Sequence, residues 1–443
     1  MRIHTLLRFT LVACAAVLLA TGQARAQAPL TLDDAIAQAL RQNPAVRSAQ
    51  AAERESAERA RQARAGWFPR VDVTESWQRG NQPVFVFGSL LAQRQFTEAN
   101  FAVDALNHPD PITNYRTGIS VEQVVFDGIR TPSATRSAAI GQEIAEAGRR
   151  DVAASLRVAV TQAYGQVLMA QAQRRAAEGA VAAAEEDVRR AERRRDAGLG
   201  TEADVLALQV HLASIRERRI VAASQETIGR ARLNEAMGEP LDTVYQLQTA
   251  TPQTVSVPPV AELEAEALKS RPDVFRAAAQ ERLAREAITT ARAGYYPQAA
   301  VQGVYEFNGG SFADRASAWT IGAVFRWNLF GGFADSARIG EAKAASDRAR
   351  AERERQEASV RVDVRVAVAH LDEARAREAV GRSAQDQARE SQRIVRDRYD
   401  AGLAPVNDLL RSANAVLEAE YQHTSALVDV LVSAAMLERA RGR

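Results

Sequence analysis

Hydrophobic and polar positions follow two different periods along the chain. Residues 118–125 and 319–325 alternate apolar side chains with small or polar ones, and this period of two predicts strands with one apolar face. Alanine- and arginine-rich stretches surround them, with no proline across 133–239 or 298–404. Because proline breaks helix interiors, these stretches predict unusually long helices.

The chain is internally duplicated. Asp-Ala-Gly-Leu at 196–199 recurs at 400–403, an offset of 204 residues. Ala-Gly, two aromatic residues and Pro at 65–69 recur at 293–297, an offset of 228 residues. The offsets differ because the first half holds 24 additional residues between its two strands, within 80–114.

The repeat predicts the same elements in each half. The first half, 27–260, is predicted to contain helices 44–66, 132–197 and 201–237, strands 69–78 and 115–126, and a linker and belt at 239–260. The second half, 261–443, is predicted to contain helices 272–294, 333–401 and 405–441 and strands 297–307 and 317–330. The additional residues of the first half are predicted to form a long exposed loop, since prolines are frequent there. Residues 360–366 alternate like a strand, but the repeat aligns them with a helical stretch and therefore predicts a helix.

The N-terminus has the layout of a secretory signal peptide, predicted as 1–26. A short basic stretch precedes an apolar run, and Ala24-Arg25-Ala26 offers a cleavage site before Gln27. Cys14 is the only cysteine. Lipoprotein processing at Cys14 would leave an apolar region of only 9–13, so the simpler interpretation is a small residue inside the signal. We therefore expect a mature chain without disulfides.

Composition and motifs argue against nucleic-acid binding and catalysis. The chain has 57 Lys and Arg against 55 Asp and Glu, without a basic block. None of its five histidines lies at metal-ligand spacing from another. No glycine-rich phosphate loop follows a strand and no serine lies in a nucleophile elbow. We therefore expect neither an enzyme nor a metal or cofactor site.

Any membrane crossing after export must use strands. No run outside the signal approaches the roughly 18 apolar residues of a membrane helix, whereas the predicted strands are long enough to cross when tilted. A soluble hairpin with buried aromatic residues is the alternative. Four strands cannot close a barrel, and open edges are not tolerated in lipid. Closure would need eight strands from two chains or twelve from three, and the strands alone do not decide between them.

The order of these motifs resembles the TolC family of outer-membrane efflux and secretion channels. The resemblance covers the whole mature chain and rests on Leu-Thr-Leu-Asp-Asp-Ala at 30–35, Gly-Trp-Phe-Pro at 66–69, Gly-Tyr-Tyr-Pro at 294–297, Val-Phe-Asp-Gly at 125–128, Leu-Phe-Gly-Gly at 329–332 and the two Ala-Gly-Leu turns. It implies a mainly α fold of duplicated long antiparallel helical hairpins that build an α-barrel. It also implies a membrane β-barrel portion, with four strands per chain completing twelve in a homotrimer.

The same resemblance implies a function and partners. The trimer would be a conduit across the periplasm and outer membrane for a tripartite efflux pump or a type I secretion system, in contact with outer-membrane lipid. Residues 27–43 and 239–271 would form a belt around the tunnel. Gly198, Leu199, Gly402 and Leu403 would be periplasmic tips that contact an adaptor and face an inner-membrane pump.

A gate is implied at the same tips. Tyr399 matches a tyrosine that holds the inner helix pair closed, Asp204 matches its hydrogen-bond partner, and Asp408 matches an aspartate that rings the pore constriction. The chain departs from the best-known member at three positions. Ala203 and Ala404 replace a threonine and an arginine of a second gate link, and Arg411 replaces a second aspartate ring. The constriction is therefore expected to alternate in sign.

A structural role is the competing hypothesis. A periplasmic coiled-coil scaffold or pump adaptor without a pore would also need long helices. Adaptors, however, have one helical hairpin flanked by small β domains, whereas this chain predicts two hairpins. Its strands are also predicted at the helix ends opposite the Ala-Gly-Leu turns. The exported substrate and the pump class cannot be derived from the sequence.

Overall fold

A computed structural model describes residues 29–248 and 257–443. The predicted signal peptide, its cleavage site and Cys14 lie outside the described residues, as does part of the predicted linker and belt. The described residues form two compact units. The helical unit comprises 29–47, 152–248, 257–267 and 361–443, and the sheet unit comprises 48–151 and 268–360.

Helices account for most of the described chain. They are α1 Leu32–Gln42, α2 Pro44–Arg64, α3 Pro83–Ala92, α4 Val103–Asn107, α5 Arg130–Asp196, α6 Glu202–Met237, α7 Val260–Ser270, α8 Pro272–Arg292, α9 Ala334–Asp400 and α10 Val406–Ala440. The strands are β1 Arg70–Gly80, β2 Ile112–Phe126, β3 Gln298–Gly309 and β4 Ala316–Arg326. Within 29–248 and 257–443, none of the helices combines the length and the apolar character that crossing a membrane requires.

The long helices lie where the proline-free stretches predict them. Helices α5 and α9 have 67 residues each, so each is ~100 Å long. The ambiguous stretch 360–366 lies inside α9, where Val360 and Val364 are fully buried while Val362 and Val366 are exposed. Burial therefore follows the helical period there, and the strand-like alternation does not form a strand.

Two predictions needed correction, and a third lacked detail. The additional residues of the first half are not an irregular loop, because they contain helix α3. Pro83 lies in the first turn of this helix, where the fixed φ of proline is favourable. The predicted belt contains helices α1 and α7, which the sequence analysis did not identify. Strand β4 ends at Arg326 instead of residue 330, because its pairing partner β3 begins at Gln298, which lies opposite Arg326, and leaves the following residues without a neighbouring strand.

The four strands form one antiparallel sheet in the order β1-β2-β3-β4. The register pairs Thr74 with Gly118, Ser120 with Val304, and Val304 with Thr320. Partners directly opposite each other share a face of an antiparallel sheet, so this register assigns every side chain to one of two faces. Strands β1 and β4 are the two edges.

The two faces differ in character. The apolar face carries most of the large hydrophobic side chains that are solvent-exposed in the single chain, whereas Val124 and Val324 lie on the opposite face. Those on the apolar face are Val71, Val73, Trp77, Ile119, Val121, Phe126, Val301, Tyr305, Trp319, Ile321 and Phe325. The polar face carries, among others, Arg70, Asp72, Thr74, Ser76, Gln78, Asn114, Arg116, Ser120, Glu122, Gln302, Glu306 and Thr320. The alternation in the sequence therefore separates a large apolar surface from a water-compatible one.

The helical unit has a core around Tyr164 of α5. Its ring is fully buried among Val160, Val167, Leu233 and Met237. Its hydroxyl lies 2.8 Å from the backbone oxygen of Leu30 and 2.6 Å from that of Gln248, so the two acceptors share its one donor proton. The segments at 30 and 247 form a short parallel bridge, so one tyrosine attaches both predicted belt segments to the long helix.

In the sheet unit, arginine–carboxylate pairs join neighbouring helices. Arg149 of α5 donates to Glu53 of α2 at 2.7 Å, and Arg136 of α5 to Glu286 of α8 at 2.7 Å. Arg353 of α9 lies 3.0 Å from the almost fully buried Glu281 of α8. Such pairs satisfy charges between alanine-rich helices whose small side chains allow close packing.

Candidate functional site

The two Ala-Gly-Leu turns have the same backbone geometry. Gly198 and Gly402 have φ of +72° and +77°, a left-handed conformation for which glycine is favoured. Leu199 N–H donates to the Arg194 carbonyl, and Leu403 N–H donates to the Arg398 carbonyl, each at 2.8 Å. Each turn thus ends a 67-residue helix and begins the return helix.

Both turns present an exposed leucine. Leu199 is 72% and Leu403 is 70% exposed. The turn backbone holds the two side chains in equivalent positions, so the duplicated tips offer two similar apolar contacts. The predicted adaptor-contact residues are therefore accessible in the single chain.

Tyr399 anchors the tip of the second hairpin to the first. It is 6% exposed and packs in a hydrophobic cluster with Val205, Leu208 and Leu409. The guanidinium of Arg194 lies over its ring, 5.3 Å from the centroid. Arg194 Nη1 also donates to the carbonyls of Tyr399 at 3.0 Å and Asp400 at 2.9 Å. One arginine of the first hairpin thus holds three groups of the second.

Two further ion pairs connect the hairpins. Arg190 pairs with Asp400, and Arg396 lies 3.4 Å from Asp187. Burial raises the pKa of Asp187 from its ordinary value, although the charges of Arg396 and Arg190 oppose that change. We call Arg190, Arg194, Arg396, Asp187 and Asp400 the tip latch. The sequence analysis missed the latch, and the arginine-rich run before the first turn was the available signal.

Asp204 is occupied within its own helix. Its carboxylate accepts the Thr201 hydroxyl at 2.8 Å and the Thr201 N–H at 3.2 Å, in a capping box that starts α6. Among the described residues, no hydrogen bond joins Asp204 to Tyr399. Burial raises the pKa of Tyr399, and the charge of Asp204 adds to that shift. The two predicted gate residues therefore interact through the charge of Asp204 and not through a hydrogen bond.

Asp408 and Arg411 lie together in the first turns of α10. Arg411 Nη1 is 3.6 Å from Asp408 Oδ1, with the arginine side chain 82% and the carboxylate side chain 46% exposed. The two opposite charges at a spacing of three residues partly neutralise each other. Whether the two charges alternate around a pore constriction stays a prediction.

Two alanines limit the links available at the tip. Ala404 packs beside the tyrosine cluster, and Ala203 is exposed at the start of α6. Neither carries a group that can donate or accept a side-chain hydrogen bond.

Across 29–248 and 257–443, no group of three His, Cys, Asp or Glu could hold a metal ion.

This fold and tip define a class of protein. Paired helices ~100 Å long, joined by tight turns, occur in the same chain as a sheet with one predominantly apolar face and two free edges. That combination is the architecture of an outer-membrane channel subunit.

The chain belongs to the outer membrane efflux protein family, whose model matches residues 35–239 and 263–443. It is accordingly a protein of the outer membrane that extends into the periplasm. The family consists of transport channels rather than enzymes. A comparison with curated protein sequences gives no significant match.

Solved channel structures share the fold at low sequence identity. The CmeC outer membrane channel of Campylobacter jejuni is 16% identical, with 93% of this chain and 85% of that chain covered and a TM-score of 0.77. The open state of the MtrE outer membrane channel of Neisseria gonorrhoeae is 19% identical, with 93% and 88% covered and a TM-score of 0.75. The outer membrane protein VceC of Vibrio cholerae is 18% identical, with 93% and 96% covered and a TM-score of 0.74.

Proposed function

We propose that the chain is one subunit of a homotrimeric channel whose twelve strands close a single barrel in the outer membrane. The observation that carries this proposal is the sheet, which has one apolar face and two unpaired edges. Because all four strands are antiparallel, β4 of one copy would pair antiparallel with β1 of the next. Repetition around an axis then removes every edge, as lipid requires.

The trimer would serve as a passive conduit for a tripartite efflux pump or a type I secretion system. A periplasmic adaptor would dock at the tips that carry Gly198, Leu199, Gly402 and Leu403, and an inner-membrane pump would select the cargo. The exposure of Leu199 and Leu403 is compatible with this assignment, since both side chains are free to contact a partner in the single chain.

The gate would lie at the same end. Tyr399, the tip latch and the Asp204 field would keep each protomer's hairpins together, and Asp408 with Arg411 would line the constriction. Three carboxylates around a narrow pore attract cations, and three arginines beside them offset that field. Opening then requires the latch contacts to separate.

Removing the Asp408 carboxylate tests the constriction. Asp408→Ala should change single-channel conductance and weaken block by multivalent cations, because the pore loses its ring of negative charge. Asp397→Ala is the matched control, since Asp397 pairs with Arg393 on its own helix at 2.9 Å. Unaltered conductance and block in Asp408→Ala would remove Asp408 from the pore.

The assembly itself is tested by purification. Membrane fractionation should recover the chain in the outer membrane, and light scattering in detergent should give the mass of three chains. A monomer that stays in aqueous solution without detergent would favour the non-pore scaffold or adaptor and would contradict the proposal.

A further inference from the structure

Helix α3 is an apolar helix that lies on the polar face of the sheet. It has the sequence Pro-Val-Phe-Val-Phe-Gly-Ser-Leu-Leu-Ala and contacts β2, β3 and β4. Gln93, which follows it, donates to Asn114 Oδ1 at 3.0 Å, and Asn114 donates to Asn308 Oδ1 at 3.0 Å. Both asparagines belong to the polar face, so α3 is on the side of the sheet away from lipid.

The helix is fixed at the sheet end that carries the β3–β4 turn. Arg94 adopts a φ of +56°, which is unusual for a residue with a side chain. This conformation ends the helix, and Arg94 Nη2 donates to the Ser317 carbonyl at 3.0 Å. Gln93 also donates to the Thr113 carbonyl at 2.9 Å. Backbone and side-chain contacts thus hold α3 in one place on the sheet.

An aromatic cluster extends this attachment to the rest of the insertion. Phe87 of α3 meets Phe96 edge to face at 4.9 Å, and Phe96 meets Phe101 at 5.0 Å. Such pairs favour a defined geometry. The insertion is therefore an ordered element, and α3 is not a segment of a loose loop.

The side of α3 away from the sheet is apolar and uncovered. Val86, Ser89 and Gln93 are buried toward the sheet. Val84 and Leu91 are 80% and 50% exposed, and a Cβ added at Gly88, which lies between them, would meet no atom within 4 Å. Residues 84, 88 and 91 share one helix face at spacings of four and three. We call this face the α3 stripe.

The location of the stripe limits what can cover it. On the polar face it cannot meet lipid, and in a closed barrel that face surrounds the lumen. Whatever one copy projects toward the axis meets its own symmetry mates, so the same stripe arrives from the other copies. The unpaired edges β1 and β4 belong to the same sheet that carries α3, so the contact would continue the interface that closes the barrel.

We propose that the α3 stripe of each copy packs against the α3 stripes of the other two copies, so that three insertions close the outer mouth of the barrel. This inference rests on the proposed trimer. The 24 additional residues of the first half would then serve an interaction between copies. The channel then has a constriction at each end, an apolar one outside and a charged one at the periplasmic tips.

Cysteine cross-linking tests the contact, because Cys14 is the only cysteine of the chain. In a Cys14→Ala background, Val84→Cys and Leu91→Cys are each oxidised, or treated with a short bismaleimide, in purified trimers. The expected result is a shift from the monomer to the dimer band on denaturing gels. Val73→Cys is the matched control, since its side chain is on the apolar face and 68% exposed, and the barrel wall would separate its copies.

The outcomes separate the two proposals. Particles with the mass of three chains that give no cross-link at either position, and whose cysteines react freely with a bulky maleimide, would overturn the closed mouth and leave the trimer standing. The same result would follow if the stripe served a separate protein. A monomeric preparation would overturn both. As a second readout, Val84→Glu combined with Leu91→Glu should increase single-channel conductance, and an unchanged value would contradict the closure.

Discussion

At the scale of single residues, two side chains carry an unusual share of the contacts in the helical unit. Tyr164 attaches two distant segments to α5 through its hydroxyl, and Arg194 attaches the second hairpin tip to the first through its guanidinium. Both act by satisfying backbone carbonyls, which a side chain of similar size without a donor could not do. A single substitution at Tyr164 or Arg194 therefore tests the contacts of that side chain.

Tyr164→Phe should destabilise the helical unit by about 1–3 kcal/mol, because two carbonyls lose a buried donor while the ring volume stays the same. Burial raises the pKa of Tyr164 to about 12 from an ordinary value of 10.0. Its stabilising effect is therefore complete below pH 10.0 and is lost as the pH rises through about 12. Urea unfolding across this range should show wild type losing its advantage over Tyr164→Phe.

Tyr421→Phe provides the control for this experiment, since Tyr421 is 46% exposed. Its free energy of unfolding should match that of wild type at neutral pH. Equal stability of Tyr164→Phe and Tyr421→Phe would show that the two carbonyls do not depend on the Tyr164 hydroxyl.

Arg194→Ala should loosen the closed tip. Hydrogen bonds to charged groups contribute about 1.5–3 kcal/mol, and partial exposure reduces this, so a shift of about tenfold in the open-to-closed ratio is expected, about 1.4 kcal/mol. Single-channel recording measures that ratio. Arg193→Ala is the matched control, because Arg193 pairs with Glu186 of its own helix at 3.0 Å. Equal open probabilities in the two variants would exclude Arg194 from the latch.

Tyr399 illustrates what the sequence could and could not predict at this scale. Its position at the tip followed from the duplicated turn, and its burial agrees with a role in holding the hairpins together. Its hydrogen-bond partner could not be derived, because Asp204 is engaged by Thr201 in a capping box. A capping box and an interhelical bond compete for the same carboxylate, and only the three-dimensional arrangement decides between them.

At the scale of elements, the sheet depends on the contrast between its faces. Neighbouring residues of β4 give a direct test, since Ile321 points to the apolar face and Thr320 to the polar face. Ile321→Arg should destabilise the inserted sheet by about 2–4 kcal/mol, because it places a charge against lipid. The yield of detergent-extracted trimer from outer membranes should fall.

Thr320→Arg adds the same charge one residue away and should leave that yield close to wild type, since the polar face is compatible with water. Similar losses in both variants would show that the two faces have the same environment. That result would contradict a barrel with one face in lipid.

Element bounds were largely predictable from the sequence, because proline gaps and the repeat offset mark where long helices can exist. The additional residues of the first half were less predictable. Proline at position 83 suggested an irregular loop, yet proline is favourable in the first turn of a helix, and α3 begins there. The start of helix α1 could also have been predicted, because Thr31 and Asp34 have the spacing of a helix N-cap and its partner. In the structure their side chains form a hydrogen bond at this position.

At the scale of the whole molecule, the duplication supplies two helical hairpins and four strands within 29–248 and 257–443, which are too few to enclose a pore. The sequence limited the assembly to repeated copies but did not fix their number, since an even-stranded barrel can be closed by two or three chains. The proposed trimer follows from the family resemblance and from free, mutually compatible edges.

Planar-bilayer recording tests the central claim most directly. Purified detergent-solubilised particles of wild type should insert and produce discrete, uniform conductance steps, because each trimer encloses one continuous water-filled path whenever its outer and periplasmic constrictions are both open. Folded particles with the mass of three chains that insert into bilayers and produce no steps at any voltage would contradict the account.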